Sequence, residues 1–380
     1  MNRYTLAATA TFGLESVVAS ELHDLGIRDV TVENGRVLFD GTDDDLARSN
    51  LWLRSADRVL VVLADFAAET LDEVYEGVRS ITWSSFLPHN PRLDVSARES
   101  FGPRSGAGKR LGTRGLQAVG KKAIVDSLLK GHHGRLEESG PEYHVEIAVS
   151  QGKALVCLDS SGVGLHRRGY RTETGEAPLR ETLAAGMVLL SRWDPSRPFA
   201  DPLCGSGTIA IEAALVGLHM APGFSRSFAA EQWPHVPADC WHRARDEARG
   251  AVRKDLQLHI AASDKDEAVL GIAKRNAKRA GVAGRIGFHH SALAEAKLSG
   301  EFGCIVTNPP YAERMGSHGD VAEIYRALGK MFRSLPTWSL FALSAHPQFA
   351  RLFGSRPTKN RKLYNGDLRC YFYEYFGPLP

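Results

Sequence analysis

Asn308-Pro309-Pro310-Tyr311 is the segment with the sharpest chemical potential in this 380-residue sequence. An exocyclic amine on a nucleobase is a weak nucleophile because its lone pair is delocalised into the ring. A site that alkylates it must hold both amine hydrogens and localise the lone pair. The side-chain oxygen of Asn308 and the carbonyl of Pro309 are two acceptors at adjacent positions. The proline pair stiffens that carbonyl and restricts the residue before it. Tyr311 offers a ring on which a base turned out of its helix can stack. A strand running into a structural proline turn would carry the same letters, so a second feature is needed before the motif means chemistry.

That feature lies a hundred residues earlier. Phe199 precedes Asp201-Pro202-Leu203-Cys204-Gly205-Ser206-Gly207-Thr208, and a helix is predicted from Ile209 to Leu215. A strand, a glycine-rich turn and a helix start make a ligand cradle: the glycines admit close backbone approach, and the helix start supplies unused N–H groups. The lysine of a phosphate loop is missing, as is the full spacing of a dinucleotide fingerprint. The next predicted strand, Leu258 to Ala262, ends at Asp264, whose carboxylate is placed to accept both hydroxyls of a ribose; Asp266 is read as the cap of a helix from Glu267 to Ala280. Ile286 to His289 is a third strand and Phe302 to Thr307 a fourth, which delivers Asn308. All these signals meet beyond the carboxyl ends of one sheet, where ligands of such sheets bind. The chemistry these residues suit is direct in-line alkylation of a base amine. It needs proximity and orientation, and neither metal nor covalent enzyme intermediate.

The elements that must present this site divide near residue 165. Before it, short strands and helices alternate: Tyr4 to Ala10, Gly13 to Leu25, a hairpin over Val30 to Val32 and Arg36 to Phe39, a helix from Asp43 to Leu53 capped by Thr42 or Asp43, and a strand from Val59 to Phe66. A second α+β unit follows, with a helix at Val74 to Ser80, a strand at Leu93 to Ala97, a helix at Gly115 to Leu129, and strands Tyr143 to Val149 and Lys153 to Leu158. Their turn lacks a Gly-Gly pair, which leaves its type open. Between Arg92 and Lys122 eight basic residues face only Asp94 and Glu99, with Gly102, Gly106, Gly108, Gly112 and Gly115 among them. Arg104, Lys109, Arg110 and Arg114 in this stretch are candidate phosphate contacts; a solvated basic loop is the plainer alternative. The connector from Ser161 to Pro178 holds Arg168, Tyr170 and Arg171, which can pair with phosphate and stack on a base. Ala221 to Arg249 reads as an insertion beside the pocket, Gly316 to Gly319 as a loop able to close over the base, and the late basic run that includes Lys362 as an RNA contact or a solvated hairpin.

Composition agrees with a globular protein: 43% hydrophobic residues, a net charge of only +3, and length enough for two or three domains. No apolar run reaches membrane-spanning length, and the start reads as a strand rather than a signal peptide. The five cysteines, Cys157, Cys204, Cys240, Cys304 and Cys370, are scattered and odd in number. That argues against a disulfide framework or a structural zinc and fits a reducing cytoplasm.

The glycine-rich turn, Asp264 and Asn308 to Tyr311 resemble the amino-methylating class I methyltransferases. Phe12-Gly13-Leu14-Glu15, His166 to Arg171, Pro178 to Ala185, Asn308 to Arg314 and Lys362-Leu363-Tyr364-Asn365-Gly366 extend the resemblance to one family: the bacterial large-subunit ribosomal RNA guanine-N2 methyltransferases with a THUMP domain (RlmL-like). The resemblance implies an α/β fold: a ferredoxin-like domain at 1–67, a THUMP RNA-binding domain at 68–160, a linker at 161–178, and a Rossmann-like methyltransferase domain at 179–380. It implies S-adenosylmethionine as cofactor and large-subunit ribosomal RNA or an assembly intermediate as partner. The cofactor is expected on Asp201, Pro202, Cys204 to Thr208 and Asp264, with Arg180, Glu181 and Thr182 beside it. Some relatives carry a second methyltransferase domain that forms 7-methylguanosine, which this sequence is expected to lack; a monomer is expected. Relatives often place an aspartate after the third strand, on the cofactor's adenine amine. Here that stretch is His290-Ser291-Ala292-Leu293, so Ser291 or the nearby backbone must substitute. An adenine methyltransferase acting on DNA, a transfer RNA substrate and a non-catalytic assembly factor stay open as alternatives.

Overall fold

A computed structural model describes residues 2–100, 110–129, 135–171, 179–311 and 318–380 of the chain. The first half forms β1 (Arg3–Ala10), α1 (Glu15–Asp24), β2 (Val30–Glu33), β3 (Arg36–Thr42), α2 (Asp43–Trp52), β4 (Ala56–Ala67), α3 (Leu71–Arg79), β5 (Arg92–Ser100), α4 (Thr113–Leu129), β6 (Glu142–Ser150) and β7 (Lys153–Asp159). Local chemistry sets several of these ends. Thr42 and Thr70 cap α2 and α3 reciprocally with Asp45 and Glu73, satisfying the amides that a helix start leaves open. The β6–β7 turn pairs Ser150 with Lys153 across Gln151 and Gly152, whose φ values are +52° and +73°. Two positive φ values define the type I′ geometry that suits strand twist, achieved here with one glycine.

The two α+β units expected in this half share one seven-stranded sheet, ordered β2-β3-β1-β4-β7-β6-β5. β4 is the joint: it pairs antiparallel with β1 on one side and with β7 on the other. A boundary at residue 67 therefore falls in the sequence but does not interrupt the sheet.

The second half forms α5 (Glu181–Leu190), β8 (Phe199–Asp201), α6 (Thr208–Gly217), α7 (Ala238–Gly250), β9 (Ile260–Asp264), α8 (Glu267–Arg279), β10 (Ile286–His290), β11 (Cys304–Thr307), α9 (His318–Arg333), β12 (Ser339–Ser344), α10 (Phe349–Phe353), β13 (Lys359–Asn365) and β14 (Leu368–Tyr375). Its sheet runs β10-β9-β8-β11-β12-β14-β13. The first five are parallel, whereas β14 is antiparallel to both of its neighbours. Strand order reverses between β8 and β11, which opens a crevice at their carboxyl ends.

Two corrections concern how the halves join. The segment from Ala221 to Arg249, expected as an insertion beside the pocket, does not border it. Phe228, Trp233, Val236, Cys240 and Trp241 are buried in the core of the N-terminal half, and α7 lies on α2. The connector is equally packed. Arg168 and Tyr170, expected on RNA, are buried, and so is the Arg171 side chain. Arg168 donates to the carbonyls of Leu165 (2.6 Å) and Arg54 and lies 3.5 Å from Glu212 of α6. Tyr170 donates its hydroxyl to Glu212 at 2.9 Å, and Arg171 reaches Glu181 and the carbonyl of Leu179. Glu212 is fully buried, so its charge needs these partners and they are spent inside the protein. In the reverse direction Leu14, from the loop before α1, enters the methyltransferase-side core, where a Cβ on Gly186 would stand 2.8 Å from its methyl carbon.

Arg168→Ala leaves Glu212 buried without its cation and is expected to lower stability by about 3–5 kcal/mol. The double variant Arg168→Met, Glu212→Gln should recover part of that loss. Urea unfolding of the whole chain measures both, and an unchanged midpoint in Arg168→Ala would mean that the pair contributes nothing to the joint.

Candidate active site

The glycine-rich turn is held from three directions. Cys204 N–H donates to the Ser263 carbonyl at the end of β9 (2.9 Å), Gly207 N–H donates to the Cys204 carbonyl (2.8 Å), and Asn276 of α8 donates to the Ser206 carbonyl (3.1 Å). Gly207 precedes α6 at φ +83°, with Ala273 2.9 Å from where a Cβ would be. Gly205, at φ +51°, has open space on that side. One glycine is thus required by packing and conformation, and the other leaves room where a ligand must approach.

The turn borders a cavity of about 630 Å³. Asp201, Cys204, Gly205, Ser206, Thr208 and Asp264 line it, as do Asn308 and Pro310 from the far side. The volume suits a nucleoside-sized ligand. Asp264 accepts from Gly205 N–H through Oδ2 (2.9 Å) and from Asp266 N–H through Oδ1 (3.0 Å), so the carboxylate is oriented while each oxygen retains a second lone pair. Asp266 also caps α8 as expected, through Ala268 and Val269. Val269, Ile272 and Leu293 supply an apolar wall for a flat ring. These residues fit S-adenosylmethionine: a carboxylate for ribose, a glycine gap for close approach, an apolar slot, and a buried carboxylate for a cation.

That buried carboxylate is Asp201, 1% exposed at the end of β8. Its Oδ1 accepts from the Thr307 hydroxyl (2.8 Å) and from Leu203 N–H (3.3 Å). Burial nonetheless pushes its carboxyl up to about 7, with Asp264 adding to the rise.

The amine motif leaves β11 directly beside this group. Asn308 Oδ1 accepts the hydroxyl of Tyr311 at 2.5 Å, and Tyr325 of α9 donates to the Pro310 carbonyl at 2.9 Å. Tyr325 also meets the Ser344 hydroxyl at 3.2 Å, which ties the motif to β12. Pro309 is buried behind the motif. Tyr311 is corrected: its ring is buried in the methyltransferase-side core rather than offered to a base, and its hydroxyl, with the Cys370 thiol beside it, orients Asn308 instead.

Other expectations change too. Ser291 opens onto a neighbouring cavity with His289 and His290, and its hydroxyl donates to the Ala292 carbonyl; Ala292 to Ala294 line the main cavity in its place. Pro202 also borders that second cavity. Thr182 donates to Asp57 (2.9 Å), Glu181 pairs with Arg171 (3.3 Å), and Arg180 lies 3.9 Å from Asp57. The start of α5 therefore fastens the two halves together, and Leu179 alone of that stretch reaches the cavity. Val269, Ile272, Asn276, Glu323 and Tyr325 carried no motif in sequence. Only the apolar spacing of α8 could have pointed to Val269 and Ile272.

Of the basic candidates, Arg104 and Lys109 lie outside the described residues, as does Gly316 of the expected loop; His318 and Gly319 begin α9. Arg110, Arg114 and Lys362 are exposed. The surplus charge between Arg92 and Lys122 is smaller in space than in sequence, because Arg92, Arg98, Lys121 and Lys122 meet Glu142, Glu146, Glu138 and Asp126. No group of three metal-ligating side chains occurs among the described residues, and no described helix is long and apolar enough to cross a membrane.

A doubly wound sheet whose first turn borders a nucleoside-sized cavity and whose fourth strand presents Asn-Pro-Pro-Tyr at that cavity defines the class of Rossmann-like methyltransferases. Residues 168–374 match the family model of the RMKL-like methyltransferase domain, and residues 5–60 that of the RlmL ferredoxin-like domain. YpsC of Bacillus subtilis, named a candidate RNA methyltransferase, is 44% identical over 100% of this chain and 97% of its own length. The ribosomal RNA large subunit methyltransferase K/L of Vibrio cholerae is 35% identical over 98% of this chain, which spans only 52% of that relative. The crystal structure of SMU.472 in complex with SAH is 40% identical, with a TM-score of 0.91 and complete coverage of both chains. The chain belongs to the RMKL-like methyltransferase family, with an RlmL-type ferredoxin-like domain ahead of the catalytic one.

A cationic ligand favours the ionised form of Asp201. Below about pH 7 binding must expel a proton, so affinity is expected to fall as pH drops through that range. Asp201→Asn should bind more weakly and without this dependence. Calorimetric titration with S-adenosylmethionine between pH 6 and 8.5 measures it, and equal pH profiles for the two proteins would remove Asp201 from the role.

Proposed function

We propose that this protein transfers the methyl group of S-adenosylmethionine to the N2 amine of a guanosine in large-subunit ribosomal RNA. The observation that carries the reading is the hydroxyl of Tyr311 on Asn308 Oδ1, at the mouth of the cofactor cavity. A tyrosine donating to the amide oxygen fixes its plane and leaves its second lone pair for an amine hydrogen. The Pro309 carbonyl takes the other hydrogen, in a backbone clamped one residue on by Tyr325. Holding both hydrogens turns the nitrogen lone pair away from the ring and toward the cavity. The cofactor supplies an electrophilic methyl carbon on a sulfonium. The amine forms the new N–C bond as the S–C bond breaks, and one amine proton passes to water.

RNA as substrate is supported by the names of YpsC and the Vibrio relative, and ribosomal RNA by the latter. The SAH held by SMU.472 supports the cofactor. The β5–β7 part of the N-terminal sheet, with Arg110 ahead of α4 and Arg114 in its first turn, is our candidate THUMP-like platform for folded RNA. Five free, buried cysteines fit a reducing cytoplasm.

Purified protein, labelled cofactor and separate pools of large-subunit RNA, transfer RNA and duplex DNA, followed by nucleoside analysis, test the whole reading. Label is expected as N2-methylguanosine in ribosomal RNA; label in adenine, in DNA or only in transfer RNA overturns the substrate. Asn308→Ala should lower transfer about a hundred- to thousandfold with unchanged SAH affinity. Tyr311→Phe should cost about two- to tenfold, the worth of one hydrogen bond. Full activity in Asn308→Ala would sink the amine clamp.

A further inference from the structure

Phe12, at the tip of the loop between β1 and α1, is 46% exposed. A lone exposed ring needs no explanation; this one is not alone. It meets Tyr364 edge to face at 5.9 Å, and Lys362 Nζ stands 5.5 Å from the Phe12 ring centre and 5.3 Å from that of Tyr364. Strand alternation puts Lys362 and Tyr364 on one face of β13, and register sets Tyr371 and Arg369 of β14 opposite them. Arg369 lies 6.0 Å from the Tyr371 ring. The opposite face of the hairpin is core, with Leu363 and Cys370 fully buried. Rings and cations therefore alternate around the hairpin's turn-side end: Lys362 and Arg369 are exposed, Tyr364 is half-buried, and Tyr371 leans on the core beneath α9 and α10.

The cluster has a definite place. Tyr371 pairs with Ser344, the last residue of β12, so it stands at the strand ends from which Asn308 emerges. Cys370, on the inner face of the same hairpin, lies 3.8 Å from the Tyr311 hydroxyl. The loop carrying Phe12 is also fixed. Gly13 adopts φ +96°, and a Cβ there would be 2.3 Å from the Lys362 carbonyl. Arg361 donates to the Gly13 carbonyl (3.1 Å) and the Ser16 hydroxyl (3.2 Å), while Glu15 accepts from Gly13 N–H (2.7 Å) and Gly35 N–H (3.0 Å). Packing that rigid could have buried the ring, yet it holds the ring in the open.

We propose that this cluster, built by both halves of the chain, seats an unpaired RNA nucleotide next to the target. Its base stacks on Phe12 or Tyr364, and its phosphate pairs with Lys362 and Arg369. A paired strand has no free base face to offer, so the seat selects targets in loops or unwound segments. The proposal rests on the RNA methyl-transfer reading above.

The test uses the whole protein with a fluorescein-labelled, unstructured RNA of about ten nucleotides and a blunt RNA duplex, followed by anisotropy. Melting temperature and SAH binding serve as controls for folding. Phe12→Ala and Tyr364→Ala are each expected to weaken single-strand binding about five- to a hundredfold, with duplex binding unchanged. Phe12→Tyr should retain it, and Lys362→Gln should reduce its salt dependence. In methyl transfer, Phe12→Ala should raise KM and leave kcat unchanged. A wild-type protein that ignores the single strand, or Phe12→Ala and Tyr364→Ala variants that bind it normally, overturns the proposal. Loss of binding in the variants of a protein that transfers no methyl group would support the seat and sink the methyl-transfer reading. Methyl transfer with unchanged KM in every variant would do the reverse.

Discussion

The hydrogen bond from the Thr307 hydroxyl to Asp201 spans the one gap in the methyltransferase sheet that matters most. The β8–β11 ladder runs through Ile305 and Ala200 and stops, and beyond it the two strands diverge toward different ligands. Asp201 opens the glycine-rich turn; Thr307 immediately precedes Asn308. A single buried contact thus fixes the distance between the cofactor cradle and the amine clamp. In-line transfer tolerates little error in that distance. The contact also explains why a carboxylate is tolerated at a position 1% exposed: one oxygen is satisfied by the protein, and the cavity remains for the charge that a cofactor brings.

A second constraint acts between the halves of the chain. Glu212 lies on α6, the helix that begins at the cofactor turn, and its burial obliges Arg168 and Tyr170 to follow it inward. Asp57 of the N-terminal sheet takes Thr182 at the start of α5. Leu14 and α7 each cross into the other half's core. The catalytic sheet and the N-terminal sheet are therefore registered by apolar packing and by charges that cannot be left unpaired. A surface assembled from both halves, such as that of Phe12 with Tyr364, has a fixed geometry for this reason.

The amine clamp follows the same economy of partners. In the proposed reading Asn308 holds the amine; its amide plane is set by Tyr311, and the backbone beyond it by Tyr325 and Ser344. Burial raises the Tyr325 hydroxyl to about 12, so it remains a donor across the working range. Both tyrosines act as rigid donors in a dry setting, where a hydrogen bond orients more firmly than it would in water.

The sequence by itself determined the parts whose function depends on local order. Asp201 to Thr208, Asp264 and Asn308 to Tyr311 each combine a strand end with a turn or cap, and such chemistry is written in neighbouring residues. The α/β alternation, the caps at Thr42 and Asp266 and the ordered motifs of the family were legible on the same ground. Tertiary structure alone decided what depends on distant partners. It buried Arg168, Tyr170 and Arg171, because a buried Glu212 and Glu181 claim them; it turned Tyr311 inward, where its hydroxyl meets Asn308 and the Cys370 thiol. It paired the basic stretch after Arg92 with acids from β6 and α4, joined two units through β4, and sent Ala221 to Arg249 onto the other core. An arginine in a connector has the same letters whether it meets phosphate or a buried carboxylate, and only the folded neighbours supply the charge that chooses between them.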